Sequence, residues 1–308
     1  MFLNLVFSGW MFLMSPVSNT PLPDFDSLWN FDNPAETEIK FREILPQAEK
    51  AGDAGYQAEL LTQIARTLGL QRKFAEADSV LDAVEKNLPS TGETARVRYL
   101  LERGRVLNSS GHPDEARPYF VDALLTGQNA GLDNYAVDAA HMIAIVAKGQ
   151  EAMDWNLKAL AMAEKSSQPK ARKWLGSLYN NIGWTYFDMQ KYDSALTLFE
   201  KALAFRKEQG QAGQIRIVKW CVAKAKRLLG QVDEALVMQR ELEKEWQESG
   251  QEQDGYVFEE LAECLYIKKD PAAEKYFALA YQSLSKDPWL VENEADRLKR
   301  LKELGNVE

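Results

Sequence analysis

Residues 179–203 read YNNIGWTYFDMQKYDSALTLFEKAL, and the spacing inside this stretch decides the fold. Ala195, Phe199 and Ala202 lie four and then three residues apart, so a helix puts a small, an aromatic and a second small side chain on one face. Twelve residues before Ala195 stands another small residue, Gly183. The intervening MQKYD supplies a turn and an acid that favours the start of a second helix. Two small residues a dozen apart let paired antiparallel helices approach closely across a turn of fixed length.

Outward from this stretch the pattern repeats. Ala116, Phe120, Ala123 and Ala273, Phe277, Ala280 carry the same small–aromatic–small spacing. Weaker copies are Ala77, Leu81, Val84; Ala152, Asn156, Ala159; and Ala235, Gln239, Leu242. The leading alanines are 39, 36, 43, 40 and 38 residues apart. The preceding small residues are Ala65, Gly104, Ala140, Gly183 and Ala223, each twelve residues ahead, and Ala262, eleven ahead. Spacing within each pair therefore holds while the connectors absorb the variation in length. The turns SGHPDEA, MQKYDSA, LGQVDEA and KKDPAA fall where a second helix should begin.

On these residues the chain resembles the tetratricopeptide repeat family, whose signature runs aromatic, Leu-Gly, Tyr, then Ala, Phe and a final Pro. Tyr179, Ile182-Gly183, Tyr186, Ala195, Phe199 and Ala202 take those roles here. The final Pro is matched only by Pro89, and the repeats exceed the usual 34 residues by about five. Such longer units resemble the extended repeats of some motor-adaptor and bacterial regulatory proteins. The resemblance covers roughly residues 58–285 and is weakest in the third repeat. It implies an all-α fold, a right-handed superhelical α-solenoid of about six antiparallel helix hairpins. Capping helices are expected at 33–52, opened by Asn33-Pro34, and at 287–305, opened by Asp287-Pro288. One continuous stack over 33–308 is expected, after an apolar leader and loop at 1–32.

Composition narrows the function. The 308 residues carry a formal charge of −9, which argues against nucleic-acid binding through bulk electrostatics. Two histidines cannot assemble a multi-histidine metal site, and His112 in the turn GHPDEA reads as solvated. No phosphate loop, nucleophile elbow or Cys–His pairing is present, so no catalytic residue, metal or cofactor is expected and an enzyme is the least favoured class. Cys221 and Cys264 fall in amphipathic helical patterns and read as buried thiols. Phe2 to Met14 is apolar but too short to span a bilayer, and no basic residue precedes it. A cytoplasmic protein with an over-long start is expected; the alternative is export through an atypical signal.

At 100° per residue, Tyr179, Ile182, Gly183 and Tyr186 face the hairpin, and Ser177, Asn180, Trp184 and Phe187 form a neighbouring stripe. In the resembled family that stripe lines a concave, peptide-holding groove. Reading the position of Trp184 through the repeats gives Arg66, Arg105, His141, Trp184, Lys224 and Glu263; flanking positions add Arg98, Asn108, Asn180, Asn181, Trp220 and Arg227. The resemblance implies a protein or peptide partner. Arg and Lys would hold carboxylates, Asn180 and Asn181 would pair with an extended backbone, and Trp184 and Trp220 would grip side chains. The alternative is that neighbouring repeats cover these residues and the arginines pair with Glu59, Glu102 or Asp138. The carboxylates Glu259, Glu260 and Glu263 are expected on a solvated face. Two other functions stay open: an exported cell-envelope assembly factor, and a ligand-sensing regulator acting through a separate partner.

Overall fold

The computed structural model describes residues 21–250 and 254–308, and every regular element among them is helical. The apolar stretch Phe2 to Met14 lies outside the described residues. A 3₁₀ turn, Phe25–Leu28, precedes α1 (Pro34–Ala51), α2 (Ala54–Leu70), α3 (Phe74–Glu85), α4 (Glu93–Ser109) and α5 (Pro113–Asn129). Then follow α6 (Asp133–Val146), α7 (Gly149–Lys165), the single-turn α8 (Pro169–Arg172), α9 (Leu175–Asp188), α10 (Tyr192–Glu208), α11 (Ala212–Leu228) and α12 (Val232–Ser249). The chain ends with α13 (Gly255–Ile267), α14 (Ala272–Leu284), α15 (Pro288–Asn293) and α16 (Ala295–Leu304).

The helices fall into two compact units, one through Ala130 and one from Gly131, where the sequence pattern had implied one uninterrupted stack. In the first unit, α2 pairs with α3 and α4 with α5, and α1 packs on α2. In the second, the pairs are α6–α7, α9–α10, α11–α12 and α13–α14, and α16 packs on α14. The six expected hairpins are thus the six observed pairs.

Every one of the small residues Ala65, Gly104, Ala140, Gly183, Ala223 and Ala262 is buried. Phe120, Phe199 and Phe277 are fully buried opposite them in the second helices, as is Leu81. The third pair departs from this register. Ala152 and Asn156 are half-buried and Met153 is buried beside them, while Ala159 keeps its fully buried place, so the first two positions of the pattern loosen where the sequence match is weakest. The extra length ahead of Ala195 is taken up by α8.

Five of the six intra-hairpin turns share one backbone device. Arg72, Gly111, Gln190, Gly230 and Lys269 all have φ between 56° and 95°. The residue after each donates its N–H five residues back, for example Lys191 to the Tyr186 carbonyl at 2.9 Å. This left-handed closure satisfies carbonyls at the helix end. The acids expected at helix starts lie inside the first turn (Asp114, Glu115, Asp193, Asp233, Glu234), where they oppose the helix dipole and make no cap bond.

Both ends differ from expectation in detail. The C-terminal cap is not one helix, because the chain breaks at Glu294 between α15 and α16. At the other end, α1 opens as expected, with Asn33 accepting the Glu36 N–H at 3.3 Å and Pro34 in the first turn. Residues 23–31, however, are not a loop leading to it. Phe25 is buried edge-on against Phe41 and Tyr56, at ring-centroid distances of 6.1 and 5.1 Å.

Candidate functional site

The first helices of the first unit carry two stripes of polar side chains. On α2 the stripe is Tyr56, Glu59, Gln63 and Arg66; on α4 it is Arg98, Glu102, Arg105 and Asn108. Glu102 is the hub. Its carboxylate is buried and accepts from Arg105 Nη1 at 2.5 Å and from Arg66 Nη1 at 3.3 Å. For Arg66 and Arg105 the alternative pairing with Glu102 is therefore observed, although both side chains keep part of their surface in solvent. Asn108 is half-buried one turn beyond Arg105.

Arg98 does not belong to an open surface. Only 7% of it is exposed, and its guanidinium grips Asp26 through two bonds of 3.0 and 2.6 Å, with Glu59 3.3 Å from Nε. The physical reason is close range: the turn at Phe25–Leu28 places Asp26 on the arginine while the guanidinium also covers the Phe25 ring at 5.3 Å.

In the second unit the same arrangement recurs on other helices. Glu260 on α13 is 1% exposed and receives Arg227 in a two-bond fork (2.7 and 3.0 Å) and Lys224 Nζ at 3.1 Å. Burial alone would raise the Glu260 carboxyl, but the two cations outweigh it and hold it below the ordinary carboxylate value. Burial likewise works against the Arg227 guanidinium, and its bonds to Glu260 raise its affinity for the proton. Beside this site, Glu259 is forked by Arg297 and Glu263 by Arg300. The expectation of a solvated acidic face is thus corrected for α13. Glu259 and Glu260 are buried and Glu263 is half-buried, because α11 and α16 bring four cations to them.

Between these charges runs an aromatic ladder. Trp184 lies 5.8 Å from Trp220, and Trp220 lies 5.8 Å from Tyr256 and donates its indole N–H to the Tyr256 carbonyl at 3.0 Å. Lys224 sits over the Trp220 ring at 4.8 Å and Arg297 over Tyr256 at 5.3 Å. Both tryptophans are half-buried, so they join consecutive repeats and also show an edge to solvent. Asn181 is exposed, whereas Asn180 accepts a long contact from Cys221 Sγ at 3.8 Å. His141 pairs with Asn156 at 3.2 Å and leans on Trp174. That pairing explains how an asparagine serves at an aromatic position in the third hairpin.

The stripe was legible in the sequence, and so were Glu59 and Glu102 as alternative partners of its arginines; Asp26 and Glu260 were not. Arg66 pairs with Glu102, and Lys224 with Glu260, each 36 residues on. A search for acids at that separation from each stripe cation would have added Glu260 to Glu102. Cys221 and Cys264 are free and buried, as read, and burial pushes both thiols up to about 12. His112 is exposed in its turn, beside the Ser110 hydroxyl at 3.2 Å. Among the described residues, no three metal-binding side chains come together, and no helix is long and apolar enough to cross a membrane.

These hairpins define the class of fold, a helical solenoid of antiparallel pairs of the tetratricopeptide type. A family model described as "Tetratricopeptide repeat" matches residues 175–208, the α9–α10 pair. Among curated proteins, none matches this sequence. Among solved structures, the apo form of RapI is similar over 92% of this chain and 81% of its own, at 13% identity and a TM-score of 0.71. A signal-transduction ATPase of Pyrococcus horikoshii with a tetratricopeptide repeat sensor matches 88% of this chain at 16% identity and a TM-score of 0.68. This chain spans 44% of that one. Aspartyl phosphate phosphatase F from Bacillus subtilis matches 84% of this chain and 69% of its own, at 15% identity and a TM-score of 0.60. At such identities the likeness is one of fold.

Proposed function

We propose that this protein is a binding scaffold that takes an extended, acidic segment of a partner protein along its first-helix stripes. One observation carries the reading. In each unit a buried carboxylate, Glu102 or Glu260, holds two stripe cations, and Arg66, Arg105 and Lys224 keep part of their side-chain surface in solvent. In a chain of net charge −9, such partly solvent-facing cations are a local attraction for carboxylates. Half-buried Trp184 and Trp220 supply apolar edges beside it, and exposed Asn181 a backbone partner. Arg98 and Arg227 would act as supports, since their guanidinium groups are taken up by Asp26 and Glu260. No catalytic residue, cofactor or metal enters this reading, and the cytoplasm is the proposed setting.

The test is retention of the full chain on immobilised acidic, neutral and basic peptides of matched apolar content. Acidic peptides should retain it best, and salt should weaken the retention. Arg66→Gln and Lys224→Gln should each reduce retention several-fold while leaving helicity intact, because each Glu keeps its second cation. Equal retention on basic peptides, or indifference to both substitutions, would refute the proposal.

A further inference from the structure

The first unit already holds a peptide-like occupant. Residues 23–31, PDFDSLWNF, lie against α1, α2 and α4 ahead of the first cap. Tyr56 donates its hydroxyl to the Pro23 carbonyl at 2.8 Å. Phe25 fills a site made by Phe41, Tyr56 and the Arg98 guanidinium, and Asp26 forks that guanidinium. Trp29 donates its indole N–H to Gln63 Oε1 at 3.1 Å and packs edge-on against Phe41. Three of the partners, Tyr56, Gln63 and Arg98, belong to the stripes on α2 and α4. These are the contacts of a linear ligand: one buried aromatic, one acid on arginine, one hydrogen-bonded aromatic and a held carbonyl.

The attachment is shallow. Phe25 alone among residues 21–33 is fully buried, and Asp24, Ser27, Asn30 and Phe31 are exposed. Departure of Asp26 would also leave Arg98 compensated, because Glu59 stands 3.3 Å from its Nε. Resting on the reading of the stripes as partner-binding surfaces, we propose that residues 23–31 are an exchangeable occupant. The partner of the α2–α4 surface is a protein segment of the same chemistry, an aromatic–acid pair followed three residues on by a second aromatic. The tether to α1 keeps the resident segment at high local concentration, so the surface stays covered until such a partner outcompetes it.

The experiment uses the full chain and a fluorescent peptide of residues 21–32, followed by anisotropy. The Phe25→Ala/Asp26→Ala chain should bind this peptide at least about tenfold more tightly than wild type does. Asp26→Asn in the peptide should weaken binding about tenfold, the scale for loss of a charged hydrogen-bond partner. Adding Arg98→Ala to the double variant should have the same effect. A folded double variant that ignores the peptide would overturn the proposal. Hydrogen exchange of the wild-type chain provides a test independent of any variant. Amides of residues 24–31 should exchange well before those of α2 and α4, and release only with unfolding of α2 would overturn it. Concentration-dependent dimers that vanish on adding peptide would make a second copy the occupant and overturn the partner assignment. The Lys224→Gln retention test reports on the second unit alone, so failure of the exchange and failure of the reading it rests on are distinguishable.

Discussion

Gly183 and Phe199 oppose each other so closely that a Cβ on Gly183 would lie 2.6 Å from Cε1 of the ring. Gly104 and Phe120 repeat the relationship in the first unit, at 2.5 Å. The helices of a hairpin approach as far as this contact permits, and a ring fills the space a side chain would take.

Gly104→Val should therefore destabilise the first unit by about 1–3 kcal/mol through overpacking, although valine is the better helix former. Combining it with Phe120→Leu, which matches the Leu81 of the first hairpin, should return part of the loss. Urea unfolding followed by far-UV circular dichroism measures both. A Gly104→Val chain as stable as wild type would mean the ring moves aside freely.

Removal of the Glu260 carboxylate takes away the buried counter-charge that Lys224 and Arg227 share. Glu260→Ala should cost about 3–5 kcal/mol, the range for breaking a buried pair. The pH dependence has a definite sign. The folded carboxyl titrates below its unfolded value of about 4.3, so its stabilisation is complete above that pH and disappears as pH falls through the lower folded value. Acid titration of wild type against Glu260→Gln should show a steeper loss for wild type below about pH 4. Parallel curves would assign the acid sensitivity to other groups.

Gln239 occupies the aromatic position of the fifth hairpin, is fully buried, and neither atom of its amide has a hydrogen-bond partner among the described residues. Leaving such a group unsatisfied costs about 1–3 kcal/mol. Gln239→Leu should raise stability by a similar amount, since Leu81 fills the equivalent place in the first hairpin. Calorimetry reads the change as a higher melting temperature for the variant, and a lower one would show that the amide does have a partner.

Cys221 and Cys264 are 1% and 0% exposed, and burial holds both thiols near 12. At pH 8 almost no thiolate forms, and reagent has no path to it. Alkylation should be at least about a hundredfold slower in native protein than in denaturant. Rapid native labelling of Cys221 would reveal an opening between α9 and α11, where its Sγ contacts Asn180.

The hairpins were legible because their rule is local. Ala195, Phe199 and Ala202 share a face at 100° per residue whatever surrounds them, and the same reading found all six pairs, including the weak third one. The candidate stripe was legible for the same reason, and Arg66, Arg105 and Lys224 do stand on it. What those side chains touch was legible only in part, through Glu102. Arg98 was expected to face a ligand and meets Asp26, 72 residues earlier, and the acids of α13 were expected in water and are buried under arginines. The Arg98–Asp26 contact leaves no periodic trace, because it depends on where a connector delivers a neighbouring element.

The sequence by itself determined which helices pair and how closely. That outcome depends on side-chain volume along one helix face and on a turn of nearly constant length. Only the tertiary structure decided which charges neutralise one another, where residues 23–31 come to rest, and that the hairpins divide into two compact units. Those outcomes rest on through-space distances between segments tens of residues apart, and electrostatics and burial act on distance, not on position in the chain.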